Sequence, residues 1–135
     1  EQNCDMIIAL NHMRNFEDQD MASQNNSDVV DLIFGGHDHA YIAKLNRQTD
    51  VNVLKSGTDF ECFTNFTVLF EVEKADFDDF VNSTKFYENL NVDYSEKLKR
   101  MYISEKVYIT DMFAPDSEIL EHVSKYTQQL ALIEE

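Results

Sequence analysis

Hydrophobic positions along the chain fall into short, separated runs until the last quarter, where they become one helical stripe. Residues 6–10 form a continuous apolar run that stops at Asn11-His12. That is the pattern of a strand covered on both faces. Asn15 then predicts a helix cap, with Glu17 and Asp18 placed favourably at the positive end of the helix dipole and the helix ending near Asn25-Asn26. A second apolar run, residues 29–34, breaks at Gly35-Gly36. Strand, helix and strand within about 30 residues predict a βαβ unit with neighbouring parallel strands.

Beyond the glycines, residues 41–45 and 51–54 predict short strands around a polar turn at 46–50, a hairpin pattern. Phe66, Val68, Phe70 and Val72 alternate with Thr67, Leu69, Glu71 and Glu73, the period of a half-buried strand. Residues 74–105 scatter Phe77, Phe80, Val81, Phe86, Tyr87 and Leu90 among acids and amides, which reads as an irregular, partly helical extension. Residues 107–109 predict one more strand. Pro115-Asp116 then opens the strongest helix signal: Asp116 is placed to cap, and Ile119, Val123, Tyr126, Leu130 and Ile133 recur every three or four residues. Such a stripe either faces its own core or connects to something else.

Composition narrows the function classes. With 11 basic and 26 acidic residues the net charge is −15, and the acids lie in both halves. Such a surface repels polyanions, which excludes a nucleic-acid binder working through a basic patch and disfavours anionic membrane. No apolar run is long enough to span a bilayer. A length of 135 residues fits one domain, and 3 Gly with 1 Pro argue for a folded one. The start, Glu1-Gln2-Asn3-Cys4, has no basic or hydrophobic signal core and no initiator Met, so the chain reads as a processed product or an excised piece. Cys4 and Cys62 match no disulfide framework or zinc spacing and read as plain buried or half-buried thiols. Glycosylation triplets at Asn25, Asn65 and Asn82 leave the compartment open.

Candidate chemistry lies in the histidines. His12 follows the first predicted strand, and His37 and His39 follow the second. In open α/β sheets ligands gather outside the carboxyl ends of the strands, so adjacent parallel strands deliver all three imidazoles to one rim. Gly35 and Gly36 permit a tight turn and a close main-chain approach to an ion or phosphate. If His37-Asp38-His39 is extended, both rings point to one side and Asp38 to the other. Three imidazoles suffice as the first shell of a metal ion with an open position. His122, in the last helix, has no partner nearby in sequence and reads as structural.

The stretch from Met6 through Asn11-His12 and Asp20-Met21-Ala22 to residues 30–39, ending Gly36-His37-Asp38-His39, resembles the second half of a calcineurin-like metallophosphoesterase domain. Its nearest likeness there is the 5′-nucleotidase branch. Ser56-Gly57 after a strand and the passage from Val107-Tyr108-Ile109-Thr110 into Phe113-Ala114-Pro115-Asp116 add to the likeness. The resemblance implies an α/β fold: a partial calcineurin-like sandwich, with a βαβ unit, then mainly antiparallel strands, then a C-terminal amphipathic helix. It divides the chain into residues 1–74, the second half of the phosphoesterase domain; 75–112, an extension and final strand; and 113–135, a linker helix toward a further C-terminal domain. It implies a centre of two divalent metal ions (Zn, Mn, Fe or similar), with His12 and His37 on one ion and His39 on the other. The implied reaction is hydrolysis of a phosphate monoester, a nucleotide being the expected substrate.

By the same resemblance, Asn11 and Asp38 orient the ligands or lie in a solvated loop, Gly36 lets the main chain approach the site, and Arg14 meets phosphate or lies on the surface. The first half of such a domain supplies an Asp-x-His pair, a bridging Asp and a Gly-Asn-His element with the catalytic histidine; neither Asp-x-His nor Gly-Asn-His occurs in this sequence, and Asp5 lies at the start of a strand rather than its carboxyl end. Three imidazoles split between two dications lack the anionic bridge that offsets their mutual repulsion. The chain is therefore expected to hold no catalytic residue of its own and to be inactive without an N-terminal half-domain as partner. The alternative is a non-catalytic interaction module with a mononuclear three-His site or no metal.

Overall fold

The predicted βαβ unit is present. β1 (Ile8–Leu10), α1 (Asn15–Gln24) and β2 (Leu32–Gly35) bring Ile8 opposite Leu32 and Leu10 opposite Phe34 in a parallel ladder. β3 (Tyr41–Leu45) and β4 (Asn52–Ser56) form the predicted antiparallel hairpin, and β4 also lies parallel to β2, so the sheet order is β1-β2-β4-β3. A second, antiparallel sheet, β5-β7-β6, consists of β5 (Cys62–Leu69), β6 (Leu90–Ser95) and β7 (Arg100–Tyr108). The remaining helices are α2 (Lys74–Ser83) and α3 (Ser117–Ala131). The computed structural model describes residues 4–24, 29–84, 88–110 and 114–131, and among these the fold is mixed α/β with two sheets. Asn25, Asn26, Phe86, Tyr87, Phe113, Ile133 and the Leu130 side chain lie outside the described residues.

Strand alternation gives the first sheet two different faces. Ile33 and Val53 point to α1, where with Val30, Val51 and Ala22 they form a fully apolar core that Ala9 and Met21 extend. The opposite face meets the second sheet. There the Phe34 ring stands edge-on to Phe66 at 6.3 Å between centroids, and Phe66 stacks on buried Tyr102 at 6.2 Å. Asp31 pairs with Arg100 across the sheets and also accepts the Ile7 N–H at 2.7 Å.

Several expectations are corrected. Residues 6–10 are not a strand covered on both faces: Ile7, Ile8 and Leu10 are exposed, Leu10 by 86%, because β1 is an edge strand and only Ala9 reaches the core. The cap of α1 falls one residue earlier than Asn15. The Arg14 carbonyl accepts the Asp18 N–H at 3.1 Å, and Glu17 Oε2 reaches back to the Arg14 N–H at 2.9 Å, as in a capping box. Cys4 is exposed and only Cys62 is buried. Phe70 lies beyond β5, half exposed, with the Arg100 guanidinium over its ring.

The largest departure lies within residues 74–105, where α2, β6 and the start of β7 are regular elements. Leu90, Val92 and Tyr94 do alternate with Asn91, Asp93 and Ser95, but the buried members are Asp93 and Ser95, so the pattern runs against hydropathy. β7 carries Arg100, Glu105 and Lys106 inside a strand whose neighbours on both sides satisfy its backbone. α3 begins as predicted, with Asp116 Oδ1 accepting the Glu118 and Ile119 N–H groups at 2.9 and 3.1 Å. Its stripe is not core: Ile119, Val123 and Tyr126 are all more than half exposed.

Candidate functional site

Because β1, β2 and β4 run parallel, their carboxyl ends, Leu10, Gly35 and Ser56, share one edge of the sheet. The turns that follow carry the predicted residues. The His12 and His37 rings meet there at 5.3 Å between centroids and 87° between planes. Gly36 permits the approach: a Cβ at this position falls 2.9 Å from His12 Nδ1. The close neighbour that the glycine admits is thus an imidazole of the same rim.

His37 and His39 both adopt left-handed backbone conformations, with φ of 75° and 53°. The stretch is therefore not extended, and strand alternation does not place its side chains. His39 follows on the rim with an exposed side chain, and among the described residues no group of three or more His, Cys, Asp or Glu side chains converges to hold an ion. Two of the three predicted ligands are brought together. His122 sits exposed on α3.

The flanking candidates turn inward. Asn11 donates through Nδ2 to Asp18 Oδ1 at 3.2 Å and to the Met21 sulfur at 3.3 Å. Asp38 turns to Lys55. Arg14 is exposed at the start of α1, its main chain serving the helix cap.

Beneath the rim lies a residue that the hydropathy pattern passes over. Lys55, on the α1-facing side of β4, has a side chain only 2% exposed and reaches the Met13 carbonyl at 2.8 Å, the Gly36 carbonyl at 2.9 Å and the Asp38 carboxylate. These use the three protons of an ammonium. A fourth oxygen, Asp18 Oδ2 of α1, lies 2.7 Å away and is fully buried. Burial pulls the Lys55 pKa down, but the two carboxylates outweigh it and raise the group above its ordinary 10.5. The Lys55 hydrogen bond and the Asn15 backbone hold Asp38 below its ordinary 3.8. Gly35 has no side chain for a related reason, since a Cβ there falls 2.7 Å from Asp18 Oδ2 and 2.8 Å from Lys55 Cε. The sequence signal was period-2 placement: Val51, Val53 and Lys55 share a strand face, and two of them are core.

At the ends of β2 and β4 a cavity of about 330 Å³ is lined by Phe34, Gly35, Ser56, Gly57, Thr64 and Phe66 among others, and by none of the three rim histidines. The Ser56 and Thr64 hydroxyls are hydrogen-bonded at its wall, 2.8 Å apart. Comparison of the chain with protein-family models, curated proteins and solved structures finds no match. The chemistry therefore rests on the side chains themselves. Two exposed imidazoles in edge contact fit part of the shell of one nitrogen-binding dication. They do not fit the two-ion shell that the family resemblance implies, which needs carboxylate bridging.

Proposed function

We propose that this chain forms the second half of a dinuclear metallophosphoesterase domain of 5′-nucleotidase type, hydrolysing phosphate monoesters, nucleotides among them, and inactive alone. The observation that carries the reading is the His12–His37 contact at the carboxyl ends of two adjacent parallel strands. It agrees with the two imidazoles that the resemblance assigns to one ion. His39, two residues on, is the ligand offered to the second. An N-terminal half-domain supplies the bridging carboxylate and the catalytic histidine, and residues 113–135 link to a further substrate-binding domain.

His12, His37 and His39 would hold two divalent ions only together with carboxylate ligands from the N-terminal half-domain, and such ions would supply positive charge for hydrolysis of a phosphate ester. This chain's own residues present the imidazoles and hold the turns that carry them. In a chain of net charge −15, the ions are also what makes a phosphate substrate approachable.

The test joins the chain to an upstream half-domain carrying Asp-x-His and Gly-Asn-His and assays AMP and a bis-aryl phosphate with Mn²⁺ or Zn²⁺. Metal-dependent turnover that His37→Ala abolishes is expected; absent turnover, or turnover indifferent to that substitution, rejects the reading. A second reading, a module acting through protein contacts, draws on the exposed apolar side chains of β1 and α3. One tightly held ion per monodisperse, folded chain on metal analysis favours the second reading.

A further inference from the structure

Lys55 faces the interior, yet its ammonium reaches both turns of the candidate site. Its ammonium binds the Met13 carbonyl, one residue after His12, and the Gly36 carbonyl, one residue before His37. It also holds the Asp38 carboxylate between His37 and His39. The stem rises from β4, which pairs with β2 but not with β1. One side chain thus fastens together two turns that follow different strands. The opposite pole of the network, Asp18, is anchored to the end of β1 through Asn11 Nδ2. The neighbouring glycines keep the space that the lysine stem and the His12 ring occupy.

We propose that Lys55 is the positioning residue of the rim: by binding the two turns at once it sets the His12–His37 contact, and with Asp38 it holds the backbone in which His37 and His39 are left-handed. Left-handed backbone at a non-glycine residue persists only where surrounding contacts over-determine it. The Gly36 and Asp38 anchors bracket His37, so releasing them lets that segment relax and separates the imidazoles. The consequence for metal uptake rests on the function proposed above; the consequence for the ring contact does not.

The 135-residue chain is studied by NMR without metal, following the cross-peak between the His12 and His37 ring protons, with amide exchange at Ile33 and Val53 as the measure of an intact core. Asp18→Asn/Lys55→Met removes both buried charges while keeping an acceptor for Asn11, so no ion is left stranded. Core protection with loss of the cross-peak is expected; a folded variant that keeps the cross-peak overturns the proposal. Asp38→Ala, at a side chain 24% exposed, removes one anchor and leaves the Lys55–Asp18 pair in place. It is expected to weaken the cross-peak, and an undiminished cross-peak in it overturns the proposal even if the double variant does not fold. A titration with Co²⁺ alone then reads the link to chemistry, with binding in the double variant weaker than in the parent by roughly 10- to 100-fold. A parent chain that shows the cross-peak but takes up no Co²⁺ counts against the metal reading, while the positioning role still stands or falls on the cross-peak.

Discussion

Asp38 and Lys55 have opposite pH signatures, which makes their contribution to stability separable from that of the other acids. The folded pKa of Asp38 lies below its ordinary 3.8, so its contribution is complete above that value and disappears as pH falls through the folded pKa. For Lys55 the folded pKa lies above 10.5, so its contribution is complete below 10.5 and disappears as pH rises through the folded value. Urea midpoints of the parent and Asp38→Asn are therefore expected to differ by a constant amount at neutral pH and to converge in acid. Lys55→Met strands the buried Asp18 charge and is expected to cost about 3–5 kcal/mol at neutral pH. A Lys55→Met difference that persists unchanged above the folded pKa contradicts the assignment.

At the scale of elements, hydropathy rules identified what was built by them. β1, β2, the β3–β4 hairpin and the start of α3 were legible because apolar runs, turn residues and a capping Asp116 all pointed the same way. The central β7 and its neighbour β6 were not, since they bury Asp93, Ser95 and Ser104 and carry charges within the strand. At the rim, His12 and His37 were legible from strand ends, whereas the Lys55 network depends on which strand face α1 covers, a tertiary fact. α3 is the element whose pattern was plain and whose packing was not: Val123 and Tyr126 are exposed by 53% and 67%. Replacing both by Lys removes no core contact. The unfolding midpoint of Val123→Lys/Tyr126→Lys is expected to match the parent, while any self-association seen by sedimentation velocity declines; a falling midpoint shows that the stripe packs on the domain.

Across the whole molecule, the two interior layers differ in kind. The α1 side of the first sheet is apolar except where the Lys55 network enters, while between the sheets Phe34, Phe66 and Tyr102 share space with buried Asn52 and Ser104. Lys55 has a place in this architecture that also bears on the order of assembly. Its oxygen partners belong to the turn after β1, the turn after β2 and the body of α1, so the network can close only when three separately folded pieces have met around β4. Interactions that form after the rate-limiting step leave refolding almost untouched and govern how fast the native state opens. Stopped-flow measurements on Lys55→Met are thus expected to show a nearly parental refolding limb and unfolding faster by roughly 100-fold or more. The same lysine then acts as a latch on the native state, setting its lifetime more than the speed at which it is reached.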